Sequence, residues 1–158
     1  MTMDLDTLLV RESVAELLSL YVHHMDRGRT EEFLELFARE GVWDIRSGGG
    51  FDHGSFAGRD AIRAHLEHMK GATAQDEAAH LRHYVSSVRV FVDAPDAAHA
   101  DAYFVAFTDA GPDHWGRYKD RAVLEDGRWR FAQRSVIHEG RLPGGWLERQ
   151  NARAGAGG

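Results

Sequence analysis

The segment Tyr21-Val22-His23-His24-Met25-Asp26 closes a strongly apolar stretch with a tyrosine and then a carboxylate, just before Gly28. The apolar residues ahead of it recur at helical spacing and predict a helix from about Asp6 to Met25 with one apolar face. Gly28 is a natural C-terminal signal for such a helix. A carboxylate on the core side of a helix is unfavourable unless a partner pairs with it. We therefore expect the fold to bring a partner to Asp26.

His83 is the candidate partner, in the segment Leu81-Arg82-His83-Tyr84-Val85, which has the composition of a strand start. A carboxylate that accepts a hydrogen bond from one imidazole nitrogen fixes the tautomer. It also stabilises the imidazolium that forms when the other nitrogen takes a proton. We predict that Asp26 and His83 form an acid/base pair in an apolar pocket. The alternative is a helix-terminal aspartate and a strand histidine that never meet.

Two shorter helices are predicted after the first one. Thr30 is expected to cap the second helix, which Gly41 ends, and the third begins at Gly58-Arg59-Asp60. Between them, the segment Val42-Trp43-Asp44-Ile45 is typical of a short strand. Residues 47–54 are typical of a flexible connection or lid.

From His80 onward the pattern changes from helical to alternating, which is typical of strands. Four long strands are predicted, at residues 80–92, 97–108, 115–125 and 128–137. Asp126-Gly127 is a tight hairpin signal between the last two. Alternation alone gives the first of these strands apolar residues on both sides, and a bulge near Ser86-Ser87 would resolve this. Helices followed by long antiparallel strands predict an α+β fold.

The composition is that of one globular domain. The chain has 158 residues, of which 43% are hydrophobic and 28% charged. We expect a single domain at residues 1–150 and a mobile tail at residues 151–158. No apolar run approaches membrane-spanning length, and the net charge of −6 argues against a nucleic-acid partner. The absence of cysteine excludes disulfides and a cysteine nucleophile and, with no signal-peptide pattern at the N-terminus, suits a cytoplasmic protein.

Two further residues are candidates for chemistry. Tyr21, on the apolar side of the first helix, can donate its hydroxyl to a substrate oxygen, or it can be an ordinary core tyrosine. Arg134, in the last strand, would stabilise an enolate or a departing anion if it points inward, and otherwise belongs to a solvated sheet face.

A metal site is not expected, although the chain has ten histidines. The spacings His65-x-x-His68 and His80-x-x-His83 are usable, and Asp52 and His53 could join either pair. No HExxH or two-histidine, one-carboxylate pattern stands out, so we predict neither a metal nor a cofactor.

These segments resemble the SnoaL-like branch of the nuclear transport factor 2-like superfamily. The residues that carry the resemblance are at 11–26, 36–43, 58–62, 83–90 and 116–131. Three enzyme groups are similar to different parts of the pattern: scytalone dehydratase, hexachlorocyclohexane dehydrochlorinase and bile-acid 7α-dehydratase. Asp26 and His83 match the dyad of all three. Tyr21 matches the tyrosine of the third group, and Arg134 the arginine of the second.

The match to each group is incomplete. Met25 and Ile45 stand where scytalone dehydratase has its substrate-holding tyrosines, and Tyr21 replaces the lysine of the dehydrochlorinases. The dyad therefore implies elimination chemistry without implying one substrate.

The resemblance implies a cone-shaped, curved antiparallel sheet around about three N-terminal helices, known as the cystatin-like α+β barrel, with a deep apolar pocket. It also implies a homo-oligomer, either trimer or dimer. The implied activity is a cofactor-independent dehydratase acting on a hydrophobic cyclic or polyketide-like small molecule. An isomerase or cyclase with the same dyad, or a non-catalytic binding protein for hydrophobic ligands, is the alternative. The residues at 48–54 and 140–150 are candidate covers for the pocket.

Overall fold

One curved sheet of six strands, with helices against it, forms the fold. The computed structural model describes residues 4–47, 53–73 and 80–155. The elements in chain order are α1 (Leu5–Asp26), α2 (Thr30–Glu35), β1 (Phe37–Ser47), β2 (Gly54–Ala57), α3 (Arg59–Thr73), β3 (Arg82–Ala94), β4 (Ala97–Thr108), β5 (Gly111–Glu125), β6 (Arg128–Arg141) and α4 (Trp146–Gly155). The strand order is β2-β1-β6-β5-β4-β3. The predicted α+β class is confirmed, and among the described strands the edges β2 and β3 do not pair, so the sheet stays open.

The sheet is mixed, because β1 runs parallel to β6, with Trp43 beside Arg134. All other neighbouring strands are antiparallel, as the alternating pattern predicts. β1 is also much longer than the predicted segment of four residues, and β2 was not predicted. Short strands between helices carry too little alternation to reveal their bounds or their direction.

The early start of β1 shortens α2. Phe37 is already in register with Phe131 of β6, so the helix ends at Glu35 and not at the predicted Gly41. Thr30 is the first helical residue and not the cap. The capping position is taken by Arg29, whose side chain makes no capping hydrogen bond.

The first helix forms nearly as predicted. Asp4 caps it, since its Oδ1 accepts a hydrogen bond of 2.7 Å from the backbone N–H of Thr7. The buried residues of α1 lie in its second half: Val14, Leu17, Leu18, Tyr21 and Val22. The apolar face predicted further upstream is instead exposed: Leu5 is 68%, Leu8 50% and Leu9 55% exposed. The helix therefore packs on the sheet only over the turns that lead to Asp26.

The long strands follow the sequence closely. β4 has the predicted bounds, and its buried side is lined by Ala98, Ala100, Ala102, Phe104 and Ala106. The predicted bulge in β3 is confirmed, because the register shifts between Ser86 and Arg89 and Ser87 has a φ of 53°. These irregularities bend β3, and His83 lies at the start of this strand.

The C-terminal segment differs from the predicted tail. Residues 151–155 continue α4, whose start at Trp146 is anchored to β5, and residues 156–158 lie outside the described part. None of the described helices is both long and apolar enough to cross a membrane.

Candidate active site

The end of α1 meets the start of β3 through Asp26 and His83. His83 Nδ1 lies 2.6 Å from Asp26 Oδ1, and the backbone N–H of His83 donates to Asp26 Oδ2 over 2.9 Å. Both side chains are largely buried, with 12% of the histidine and 8% of the aspartate exposed. Because the carboxylate occupies Nδ1, the nitrogen left to exchange a proton with a bound molecule is Nε2.

A cavity of about 560 Å³ lies between the helices and the sheet, and Asp26 and His83 are in its wall. This volume suits a small organic ligand. Most of the wall is apolar, with Phe33, Trp43 and Leu66 among the residues that line it. Low polarity around the pair strengthens the attraction between carboxylate and imidazolium.

Tyr21 also lines the cavity and is only 4% exposed. Its ring packs between Phe33 and Tyr118, with centroid distances of 5.0 and 5.6 Å. Burial raises the pKa of Tyr21 well above its ordinary value, so the phenol keeps its proton and remains a hydrogen-bond donor.

Arg134 points inward, yet it does not line the cavity. Its guanidinium carbon lies 3.8 Å from the ring centroid of Tyr21 and 3.9 Å from that of Tyr118, and both rings face the cavity. The side chain is fully buried, and its Nη2 is 3.5 Å from Asp120 Oδ2. Direct contact with a substrate anion, as the sequence predicts for Arg134, does not fit this geometry, because the two tyrosine rings intervene. Burial raises the pKa of Asp120 to about 7, while the Arg134 guanidinium acts in the opposite direction.

Besides His24 of α1, two cavity histidines on the strands were missed from the sequence. His114 and His138 stand one residue outside the predicted strands, which were placed at 115–125 and 128–137. In the structure both strands run further, so His114 shares the inner face of β5 with Tyr118, and His138 the inner face of β6 with Val136. Continuing the alternation outward by two residues would have found both.

The histidines form a row. The His114 ring centroid is 5.5 Å from that of His83 and 5.5 Å from that of His138. His114 Nδ1 is 2.8 Å from Asp113 Oδ2, whereas the buried Nδ1 of His138 has no hydrogen-bond partner among the described residues. Burial lowers the pKa of His114, and burial together with the two neighbouring imidazoles lowers that of His138 to about 4. Both rings are therefore neutral at pH 7.

Asp113 connects this row to α4. Its carboxylate accepts hydrogen bonds from the backbone N–H groups of Trp146, at 2.5 Å, and Leu147, at 3.1 Å. Trp146 and Leu147 line the cavity, so this part of the candidate cover at 140–150 contributes to its wall. The other candidate cover, at 48–54, lies mostly outside the described residues.

The buried histidines make a specific prediction about acid. Between pH 6.5 and 4 the native state binds fewer protons at His138 than the unfolded chain does, so stability is lost as the pH falls through this window. For His138 alone this amounts to about 3 kcal/mol at most. Replacing it with asparagine should flatten the pH dependence of the unfolding free energy, measured in urea at several pH values. The exposed His99 is the control, and an equal flattening in H99N would contradict the assignment.

Metal ligation finds no support in the described residues, among which no three histidine, aspartate or glutamate side chains are grouped suitably. His65, one of the sequence candidates, packs against Phe56, with stacked rings 3.9 Å apart.

Comparisons with known proteins agree on the fold. The family model of the SnoaL-like domain matches residues 6–135. A protein of unknown function with a cystatin-like fold from Nostoc punctiforme superposes with a TM-score of 0.69 at 19% identity, covering 90% of this chain and 98% of that one. No protein with a curated description matches the sequence.

Two structures from Novosphingobium aromaticivorans are also similar. A putative scytalone dehydratase has a TM-score of 0.70 at 20% identity, with 87% of this chain and 89% of that chain covered. The beta subunit of a putative aromatic-ring-hydroxylating dioxygenase has a TM-score of 0.66 at 18% identity, with 85% and 92% covered. At these identities the likeness concerns the fold alone.

Proposed function

Since this chain belongs to the SnoaL-like family, we propose that it is a cofactor-independent lyase that removes water from a hydrophobic cyclic or polyketide-like molecule. The observation that carries the proposal is the contact of 2.6 Å between His83 Nδ1 and Asp26 Oδ1 in the wall of a cavity of about 560 Å³. A putative scytalone dehydratase shares the fold, so the fold is compatible with this reaction class. Proteins with this fold have different functions, so the function must be argued from the residues of the site.

In the proposed reaction, His83 Nε2 takes a proton from the carbon next to a substrate carbonyl. Asp26 holds the ring in position and stabilises the imidazolium. The electron pair of the broken C–H bond forms the new double bond, the C–O bond to the leaving hydroxyl breaks, and the proton on His83 returns to that oxygen as water. No external oxidant or reductant is needed.

Tyr21 donates a hydrogen bond to the carbonyl oxygen, which gains negative charge as the proton leaves. Arg134 acts indirectly in this scheme, because its guanidinium lies against the rings of Tyr21 and Tyr118 and fixes their position. We therefore propose Arg134 as a positioning residue and not as an anion-binding one.

A mass-resolved assay tests the proposal. The full chain is incubated in deuterated water with fused-ring β-hydroxy ketones, and products are examined by mass spectrometry. Loss of water that depends on His83 supports a dehydratase. Rearrangement or ring closure without that loss would indicate the isomerase or cyclase. Recovery of unchanged ligands without deuterium, together with normal binding by dyad variants, would contradict catalysis and favour a binding protein.

We also propose that the protein is a homo-oligomer, either trimer or dimer. Large rings stand on the outer face of the sheet, where Tyr84 is 60%, Tyr103 59% and Trp115 42% exposed. Apolar groups clustered on neighbouring strands are typical of a surface that a partner covers. Light scattering at micromolar concentration should give a mass above that of one 17.7 kDa chain, and a monomer would contradict this proposal.

A further inference from the structure

Among the described residues, three cationic side chains lie at the mouth of the cavity, although the protein as a whole is negatively charged. Three segments form it: the α1–α2 connection with Arg29, the last part of α3 with Lys70, and the start of β3 with Arg82. All three cationic side chains line the cavity and are exposed to solvent. The whole chain carries a net charge of −6, so this grouping opposes the average of the surface.

In the described part of the chain, the two arginines at the mouth have no carboxylate partner. Asp26 is the one carboxylate that lines the cavity in the described part of the chain, and both of its oxygens are engaged by His83. In the same part, no carboxylate lies within ion-pair distance of Arg29 or Arg82, and Arg82 Nη1 donates only to the carbonyl oxygen of Leu81. Several arginines elsewhere do pair, such as Arg59 with Glu35 over 2.7 Å.

The interior behind this mouth suits an apolar body. Trp43, Ile45 and Leu66 contribute to its wall, and the imidazoles of His83, His114 and His138 are among its polar groups. A fully apolar ligand would leave the mouth arginines without a function, and a small anion would not fill the chamber.

We infer that the cavity accepts an amphipathic acid, whose ring system fills the chamber and whose carboxylate is held at the mouth by Arg29 and Arg82. This inference rests on the proposed function and narrows its substrate class to molecules in which the reacting ring bears an acid group. Arginine suits the role, because its planar guanidinium binds carboxylate through two parallel hydrogen bonds.

The test compares 2-naphthoic acid with 2-naphthamide, which share a ring system and size and differ in charge. Binding to the full chain is measured by titration calorimetry at pH 8, where ordinary histidines are neutral. We expect the acid to bind at least about tenfold more tightly than the amide, because two cations act on it at short range. Added salt should weaken binding of the acid and leave that of the amide unchanged.

The double variant Arg29→Gln/Arg82→Gln should reduce the preference to within about threefold by losing affinity for the acid only, since no opposite charge remains from these two residues. Arg121→Gln/Arg128→Gln is the matched control: it removes the same charge from two exposed arginines that do not line the cavity, and it should keep the preference. Equal binding of the two probes by the wild type, no binding of the acid, or a preference that survives in R29Q/R82Q would overturn the inference.

The outcome is separable from that of the proposed function. His83→Gln should keep the preference for the acid, because the discrimination occurs at the mouth and not at the dyad. Loss of the preference in R29Q/R82Q without any detectable water loss from any substrate would support the binding site while removing the reaction. The opposite result is that neutral substrates lose water at a rate that R29Q/R82Q does not change, and that the two probes bind equally. That result would support the proposed reaction and overturn the acid-binding site.

Discussion

Turnover should fall about 10²- to 10⁴-fold when His83 is replaced by glutamine, since this is the usual contribution of a positioned general base. The free Nε2 of the imidazole is the group that accepts the proton. Glutamine has a polar side chain of similar length, but its amide is too weakly basic to accept a proton. Steady-state kinetics on the substrate found by the mass-resolved assay gives the measurement. The loss should appear in kcat, because proton removal belongs to the chemical step and not to binding.

Asp26→Asn should cause a comparable loss through a different cause. The amide can still contact the ring, but it carries no charge to stabilise the imidazolium and can donate where the carboxylate only accepts. Because the two residues act as one unit, the double variant should be little worse than H83Q alone. Activity of either single variant within a few fold of the wild type would exclude the proposed mechanism.

The chain contains its own control for this experiment. His99 Nδ1 lies 2.8 Å from Asp93 Oδ1, which repeats the contact of the dyad on the exposed surface between β3 and β4. About half of each side chain is exposed, and neither residue lines the cavity. Asp93→Asn and His99→Gln should leave kcat unchanged, so any general effect of breaking an Asp–His contact would be seen here.

Replacing Arg134 with methionine is expected to destabilise the protein by about 3–5 kcal/mol at pH 8, the range seen when one partner of a buried ion pair is removed. Methionine fills part of the space between the two tyrosine rings but supplies no charge for Asp120, which is 3% exposed. Urea unfolding followed by intrinsic fluorescence measures the loss.

The cost should depend on pH in a defined direction. Without the guanidinium, the Asp120 carboxyl stays protonated in the native state to a higher pH than in the unfolded chain, where its pKa is near the ordinary 3.8. The native state then binds more protons above that value, so stability falls as the pH rises towards and through 7. R134M should therefore be less destabilised at pH 5 than at pH 8, and adding Asp120→Asn should remove most of the difference.

An exposed pair calibrates this result. Arg39 pairs with Asp126 on the surface, with 68% and 64% of the side chains exposed. Arg39→Met should cost at most about 1 kcal/mol, because water screens the charges in both states. A loss in R134M no larger than in R39M would mean that the buried pair contributes little to stability.

Local patterns in the sequence were sufficient where one physical signal dominates. The alternation between Ala97 and Thr108 predicted β4 with correct bounds, and Asp126-Gly127 has the positive φ values, 51° and 73°, that its turn requires. The conflict of two apolar faces in β3 located the bulge at Ser87. Each of these signals depends on a few neighbouring residues, so it can be recognised in the sequence without knowledge of the fold.

Other features depend on contacts between distant segments. The parallel pairing of β1 with β6 leaves no local mark, and α4 forms because Asp113, more than thirty residues earlier, accepts from its first N–H groups. The sequence left open whether Arg134 points inward, and only its packing against the rings of Tyr21 and Tyr118 decides that it is buried and yet stops short of the cavity. His114 and His138 were missed for a smaller reason, since strand ends are less well marked than strand centres.

One carboxylate, that of Asp113, accepts hydrogen bonds from the covering helix and also fixes the orientation of the His114 ring. A bulky ligand that displaces Trp146 would therefore also disturb the imidazole of His114. The position of α4 and the orientation of the His114 ring both depend on Asp113, so a substitution that moves one of them is expected to move the other.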